Sequence, residues 1–188
     1  MRRCTLFSTT VAILLALPAA AQEPVPNKSY INRLAPYVTS PARVVDRMLE
    51  LARLKPGETL YDLGCGDGRI LIAAAGKYKA NAVGVEISPK LVAQATANIV
   101  KRGLTGVAHV IHGDAMEADL SRADVVTIYL ATALNEKLRP RLEKFLKPGA
   151  RVISHDYAVP GWKAARIEKT DDRHEHLLYL YEMPAEKN

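Results

Sequence analysis

Cysteine is nearly absent from this chain: Cys4 and Cys65 are the only two among 188 residues. At most one internal disulfide can form, and none if the segment carrying Cys4 is removed, so a scaffold stapled by disulfides is excluded. Aromatic residues are few, at 6% of the chain, and no tract interleaves them with lysine and arginine. The formal net charge of +6 is spread over scattered positions, which describes a solvated surface and not a nucleic-acid groove. Long apolar runs are missing too. Val11–Leu17 falls well short of the roughly 20 residues an ordinary membrane span needs. There is no internal repeat and no low-complexity tract.

What is present begins with the layout of a signal peptide. Arg2 and Arg3 precede the apolar run Val11–Leu17, and Ala19-Ala-Ala21 supplies small residues for cleavage before Gln22. Residues 1–21 are therefore predicted to be a signal peptide, with an uncleaved anchor as the alternative. The expected location is outside the cytoplasm, in the periplasm, or on a membrane if the segment stays attached. Cleavage would take Arg2 and Arg3 away and lower the formal charge from +6 to +4. Residues 22–33, with Pro24 and Pro26 among polar neighbours, read as a linker, and residues 34–183 as one domain large enough for its own core.

The centre of that domain is Leu60-Tyr-Asp-Leu-Gly-Cys-Gly-Asp-Gly-Arg-Ile70. A short apolar strand, Thr59 to Leu63, runs into Gly64, Gly66 and Gly68, and a helix follows from Arg69 to Lys77. Such a turn aims free backbone N–H groups at whatever lies above the strand. A second predicted strand, Asn81 to Ile87, carries Glu86 about twenty residues after the loop, where an acid can accept both hydroxyls of a ribose. The G-x-G-x-G spacing differs from the G-x-G-x-x-G of dinucleotide folds and disfavours a dehydrogenase.

The remaining pattern alternates. Ser40 is expected to cap a helix from Ala42 to Leu54 that Lys55-Pro-Gly57 stops. Further helices are predicted from Ser88 to Arg102 and from Leu134 to Phe145, and strands over Val107–His112, Val125–Leu130 and Arg151–His155. Ala164–Lys169 and His174–Tyr181 read as a terminal β-hairpin. This order implies an α/β fold with a mostly parallel sheet and helices on both faces. Asp62, Glu86, Asp114 and Asp156 each follow a different strand, and Asp67 lies in the first loop, so the carboxylates converge on one crevice. For Asp114, capping of a short helical stretch is the competing role. His174 and His176 alternate around Glu175; surface polar positions explain them better than a metal, and none is expected.

Tyr37-Val-Thr-Ser-Pro41, the glycine segment, Val126-Thr-Ile-Tyr-Leu130, Asn135-Glu-Lys-Leu-Arg-Pro140, Leu146-Lys-Pro-Gly149 and Ser154-His-Asp156 together resemble the class I S-adenosylmethionine (SAM) methyltransferases. Among these, the chain is similar to the small protein-lysine methyltransferases of mitochondria and their bacterial relatives. It departs from their pattern at Thr39 and at Ala131-Thr132. The resemblance implies a Rossmann-like sheet with an antiparallel last strand, and SAM as cofactor. Tyr37 and Ser40 would close a flap over it; Asp62, Gly64, Gly66, Asp67 and Gly68 would hold its methionine end, Glu86 the ribose and Asp114 the adenine. An acidic crevice suits the cationic sulfonium and ammonium of SAM.

The acceptor implied is a protein amine, in some members on an inner-membrane protein, with no nucleic acid as partner. No Asn/Asp-Pro-Pro-Tyr/Phe follows the fourth strand, which argues against adenine N-methylation of DNA or RNA. A lysine, with an ordinary pKa of about 10.4, must lose its proton before it attacks the methyl group in line. Tyr129, His155 and Asp156 are the candidate catalytic residues. The alternatives are methylation of a small molecule, or an exported protein that binds SAM or a nucleoside without turnover.

Overall fold

The computed structural model describes residues 37–170 and 175–185. The predicted leader and linker, the start of the domain at Leu34, and His174 lie outside the described residues. Seven strands form one sheet in the order β3-β2-β1-β4-β5-β7-β6, where β1 is Thr59–Leu63, β2 Asn81–Glu86, β3 Ala108–His112, β4 Val125–Ile128, β5 Arg151–His155, β6 Arg166–Lys169 and β7 Leu177–Glu182. The first five run parallel; β7 inserts antiparallel between β5 and β6, as the terminal hairpin leads one to expect. The helices are α1 (Ala42–Leu51), α2 (Arg69–Tyr78), α3 (Pro89–Lys101) and α4 (Thr132–Phe145).

Side chains alternate along each strand, so one strand feeds two cores. Leu60 and Ile153 face the layer made by Met48 and Leu49 of α1, Leu71 of α2 and Ile99 of α3. Tyr61, Leu63, Val126 and Val152 face the other layer, where Leu138 and Leu142 of α4 and Tyr181 of β7 cover them. β1 and β4 are central and buried along nearly their whole length because both their faces are covered, polar Asp62 and Thr127 included.

Besides shifts of one to three residues at other element ends, three boundaries differ from the sequence-based expectation in ways that shape the site or its support. α1 ends at Leu51 and not at Leu54, because Arg53 turns left-handed (φ 52°) and the Leu54 N–H returns to the Leu49 carbonyl at 3.1 Å. The buried Arg151 guanidinium completes that end: it donates to the carbonyls of Ala52 (2.7 Å) and Arg53 (2.9 Å) and pairs with Glu58 (2.6 Å). β4 stops at Ile128, which frees Tyr129 and Leu130 to line the sheet's C-terminal edge, and α4 begins two residues early, at Thr132.

Gly84 shows how closely β2 approaches the loop beside it. A β-carbon there would sit 2.5 Å from Cys65 Sγ and 2.6 Å from Leu71 Cδ1. Gly84→Ala should therefore lower stability by about 1–3 kcal/mol through overpacking. Urea denaturation measures it, and a loss under about 0.5 kcal/mol would mean that the site repacks freely.

Candidate active site

At the C-terminal ends of β1 and β2 the glycine loop is held down from below. Gly64 donates to the Val85 carbonyl at 2.8 Å, and the Gly66 N–H donates to Glu86 Oε2 at 3.0 Å. Glu86, almost wholly buried, receives the Ser88 N–H on its other oxygen at 2.9 Å. Each carboxylate oxygen has a lone pair left for a ligand above. Gly66 takes a left-handed conformation (φ 55°), and a β-carbon on it would lie 2.5 Å from the Tyr37 ring. Glycine is required here because an aromatic ring rests directly on the backbone.

The Tyr37 ring rests on the loop, and Arg69, to which the sequence pattern assigns no role, tethers the segment that carries Tyr37 and Ser40. Arg69 forks onto Asp67 (2.9 and 2.7 Å) and donates its third arm to the Ser40 carbonyl at 2.8 Å. The hydrogen bonds from Arg69 hold the Asp67 carboxyl below its usual range, although burial opposes them, and Tyr37 adds its own hydrogen bond. Asp67 thus clasps the flap to the loop. Ser40 is no helix cap: Pro41 occupies the cap position without a side-chain bond, and the Ser40 hydroxyl lies 2.8 Å from His155 Nδ1.

Asp62, one residue before the C-terminal end of β1, accepts the Thr127 hydroxyl at 2.8 Å. Burial pushes its carboxyl up to about 7, the Thr127 bond opposes that, and the nearby charges of Glu86 and Asp67 add to it. Asp114 accepts the Met116 N–H at 2.8 Å and caps the short 3-10 turn Ala115–Glu117, which is the competing role named for it. The capping bond uses one oxygen, Oδ1. Burial drives the Cys65 thiol upward, so it is an inert packing group.

On the other side of the crevice, past β4 and β5, four side chains meet. Asp156 is a non-glycine residue at φ 60°. Its Oδ1 accepts the Leu177 N–H at 3.0 Å, while Oδ2 accepts both the Tyr129 hydroxyl at 3.0 Å and His176 Nδ1 at 2.9 Å. Burial would raise this carboxyl, but those three hydrogen bonds and His155 outweigh it and hold it below the usual range. Burial, then the bond to Asp156, pushes the Tyr129 hydroxyl up to about 12. His155 was expected to face the crevice, yet it is fully buried, stacked on Tyr129 with ring centroids 3.9 Å apart. Burial lowers it to about 4, against the pull of Asp156, so it is neutral at pH 7. His176, read in the sequence as a surface residue, belongs to this cluster because β7 starts where β5 ends.

The two halves make a cleft with a glycine cradle that a β-carbon would fill and two buried carboxylates on one side, and a polar, aromatic cluster on the other. That donor set fits SAM: acids for an ammonium and ribose hydroxyls, and bare backbone where a ligand must approach closely. Residues 62–166 match the model of the ANTKMT methyltransferase domain, a range that holds the glycine loop, Glu86, Tyr129, His155 and Asp156 but not Tyr37, Ser40 or His176. The chain belongs to this methyltransferase family. A protein-lysine N-methyltransferase of Saccharolobus islandicus (strain REY15A) is 48% identical over 155 residues, covering 81% of this chain and 96% of the relative. The adenine nucleotide translocase lysine N-methyltransferase of Mus musculus is 34% identical over 138 residues, 72% of this chain; the match spans 60% of that longer enzyme. The crystal structure of an RNA methyltransferase from Salinibacter ruber, in complex with S-adenosyl-L-homocysteine, superposes with a TM-score of 0.76 at 44% identity, covering 79% of this chain and 95% of that one. The ANTKMT-family chain is an enzyme of the Rossmann-like class I type, and SAM is its cofactor.

Proposed function

We propose that this enzyme methylates lysine side chains of proteins, and that Asp156 is the group that recognises the acceptor. The observation that carries this is the charge state of the cluster around it. At pH 7 Asp156 is an ionised carboxylate, and Tyr129, protonated, and His155, neutral, bring no further charge to it. A carboxylate there attracts an ammonium and repels a phosphate, which favours the acceptor in the names of the archaeal and mouse relatives over that of the Salinibacter protein.

When bound, SAM supplies a methyl group on a positively charged sulfur. The protein's own part is to bring an amine to it and to let the amine lose its proton. Asp156 and the Tyr129 hydroxyl fix the nitrogen and exclude other approaches. A neutral His155 adds no repelling charge, and its ring backs the aromatic wall. The proton leaves to water or to a base in the cluster, which stays polar enough to conduct it.

Labelled SAM with membrane extract, soluble extract and purified RNA tests the reading. Label on protein lysines is expected, with RNA blank; label confined to RNA or to small molecules overturns it. The acceptor's place and the enzyme's own are part of the same proposal. The acceptor is a membrane-associated protein and the mature chain begins at Gln22 outside the cytoplasm, supported by the charged, apolar and small residues of the first 21 positions. N-terminal sequencing after fractionation decides: intact Met1 in soluble cytoplasm counts against export, and intact Met1 in membranes favours an anchor.

Glu86→Ala should weaken SAM affinity by about 1.5–3 kcal/mol, through loss of a charge-assisted bond to the ribose and of the brace under Gly66. Calorimetry reads the affinity and circular dichroism the fold. Unchanged affinity in a folded variant would remove Glu86 from the cofactor site.

A further inference from the structure

Three side chains at the acceptor end point their donor atoms at one spot. His155, Asp156 and His176 each offer a ligand atom, and the three atoms lie within 4.8 Å of one another. His155 Nε2 is 3.4 Å from Asp156 Oδ2, and His176 Nδ1 is 2.9 Å from the same oxygen. For a tetrahedral ion with bonds of about 2.0–2.1 Å, donor atoms sit about 3.3 Å apart, so the 3.4 Å pair already has that spacing and the hydrogen-bonded 2.9 Å pair would open slightly to admit the ion.

A second feature is independent of the spacing. His155 is fully buried, its Nδ1 is engaged by Ser40, and among the described residues its Nε2 has no hydrogen-bond partner. An orphaned buried nitrogen is costly unless something satisfies it. It lies 3.4 Å from the carboxylate but misses hydrogen-bond geometry with it, and no other group among the described residues completes it. An ion between the two histidines would satisfy Nε2, replace the proton that His176 Nδ1 shares with Asp156, and leave the Leu177 bond to the other carboxylate oxygen intact.

We propose that His155 Nε2, Asp156 and His176 bind one divalent transition-metal ion of the zinc class, and that the ion switches off methyl transfer. Two imidazoles and one carboxylate favour Zn²⁺ over Mg²⁺ or Ca²⁺, which want oxygen ligands. With a metal on Oδ2, Asp156 can no longer receive an acceptor ammonium, so metal and lysine compete for one oxygen. The inhibitory half rests on the lysine reading above; the binding half does not.

Titrating the cofactor-free full-length chain with Zn²⁺ in a calorimeter should give a saturating isotherm at one ion per chain, with Mg²⁺ giving none. His176→Ala and His176→Gln should each raise the Kd at least about tenfold, while His109→Ala on the exposed face of β3 leaves it unchanged. Co²⁺ should add visible absorption of a four-coordinate site that the His176 variants lose. No isotherm, equal binding of Mg²⁺, or an isotherm indifferent to both His176 variants overturns the site. If Zn²⁺ binds as described but methyl transfer continues at saturating metal, the switch is overturned and the site stands. If a lysine acceptor is never found, the lysine reading fails while the isotherm is untouched.

Discussion

Asp156→Asn is expected to slow methyl transfer by about 10²–10⁴-fold while leaving the affinity for S-adenosyl-L-homocysteine nearly as it was. The substitution is conservative where structure is concerned. Asparagine tolerates the left-handed backbone at this position and can still accept the Leu177 N–H. What it removes is the charge, and with it the attraction for an ammonium and the oxygen that receives Tyr129 and His176. An effect confined to the acceptor and the transition state lowers turnover without disturbing the cofactor half of the cleft, which lies beyond β4. His155→Ala should act in the same direction, because it unstacks Tyr129 and frees Ser40 from its partner. Activity should recover partly at higher pH, as more of the lysine is deprotonated in solution. Parental rates in the folded variants, or an equal loss of homocysteine-analogue binding, would exclude Asp156 from the acceptor side.

Much of the glycine-loop half of the cleft was legible in the sequence, for a local reason. The strand, the three glycines and Glu86 sit within one β–α–β unit, and the geometry of such a unit depends on short-range backbone rules. Helix and strand order followed from the same periodicities, and the final antiparallel strand from the hairpin at the tail. The half around Asp156 depends on distant pairings. Ser40 meets His155 across 115 residues, and sequence patterns treat Ser40-Pro41 as a helix start because serine before proline most often is one. His176 looks like a surface residue until β7 is placed antiparallel to β5. Arg69, at the first position of a helix, gives no sign that it ties the flap to the loop. Nor does Arg151 at a strand start announce that it will end α1, since the carbonyls it binds are about a hundred residues away.

A buried acid with a raised pKa makes the protein's stability respond to pH in a direction opposite to that of ordinary carboxylates. Asp62 titrates near 7 in the folded chain and near 3.8 when exposed. Between those values the folded form keeps a proton that the unfolded form has lost, so stability falls as pH rises from about 4 to about 7 and then levels off. The full span is of order 4 kcal/mol. Asp67, Asp156 and Glu168, whose pKa values are depressed, change stability in the opposite sense at lower pH. The clean measurement is therefore a difference: urea midpoints of the parent and of Asp62→Asn at pH 5 and pH 7.5. The parent should lose stability relative to the variant between these two values, because asparagine has no proton to give up. A bound cofactor should invert part of this. If the ammonium of SAM sits against Asp62, it favours the ionised carboxylate, so binding near pH 6 must release a proton and affinity must rise from pH 5 to 7. Calorimetry in two buffers of different ionisation enthalpy counts that proton. Its presence in the parent and absence in Asp62→Asn would place Asp62 beside the positive charge, whereas equal proton release from both would assign the methionine end of the cofactor to some other group.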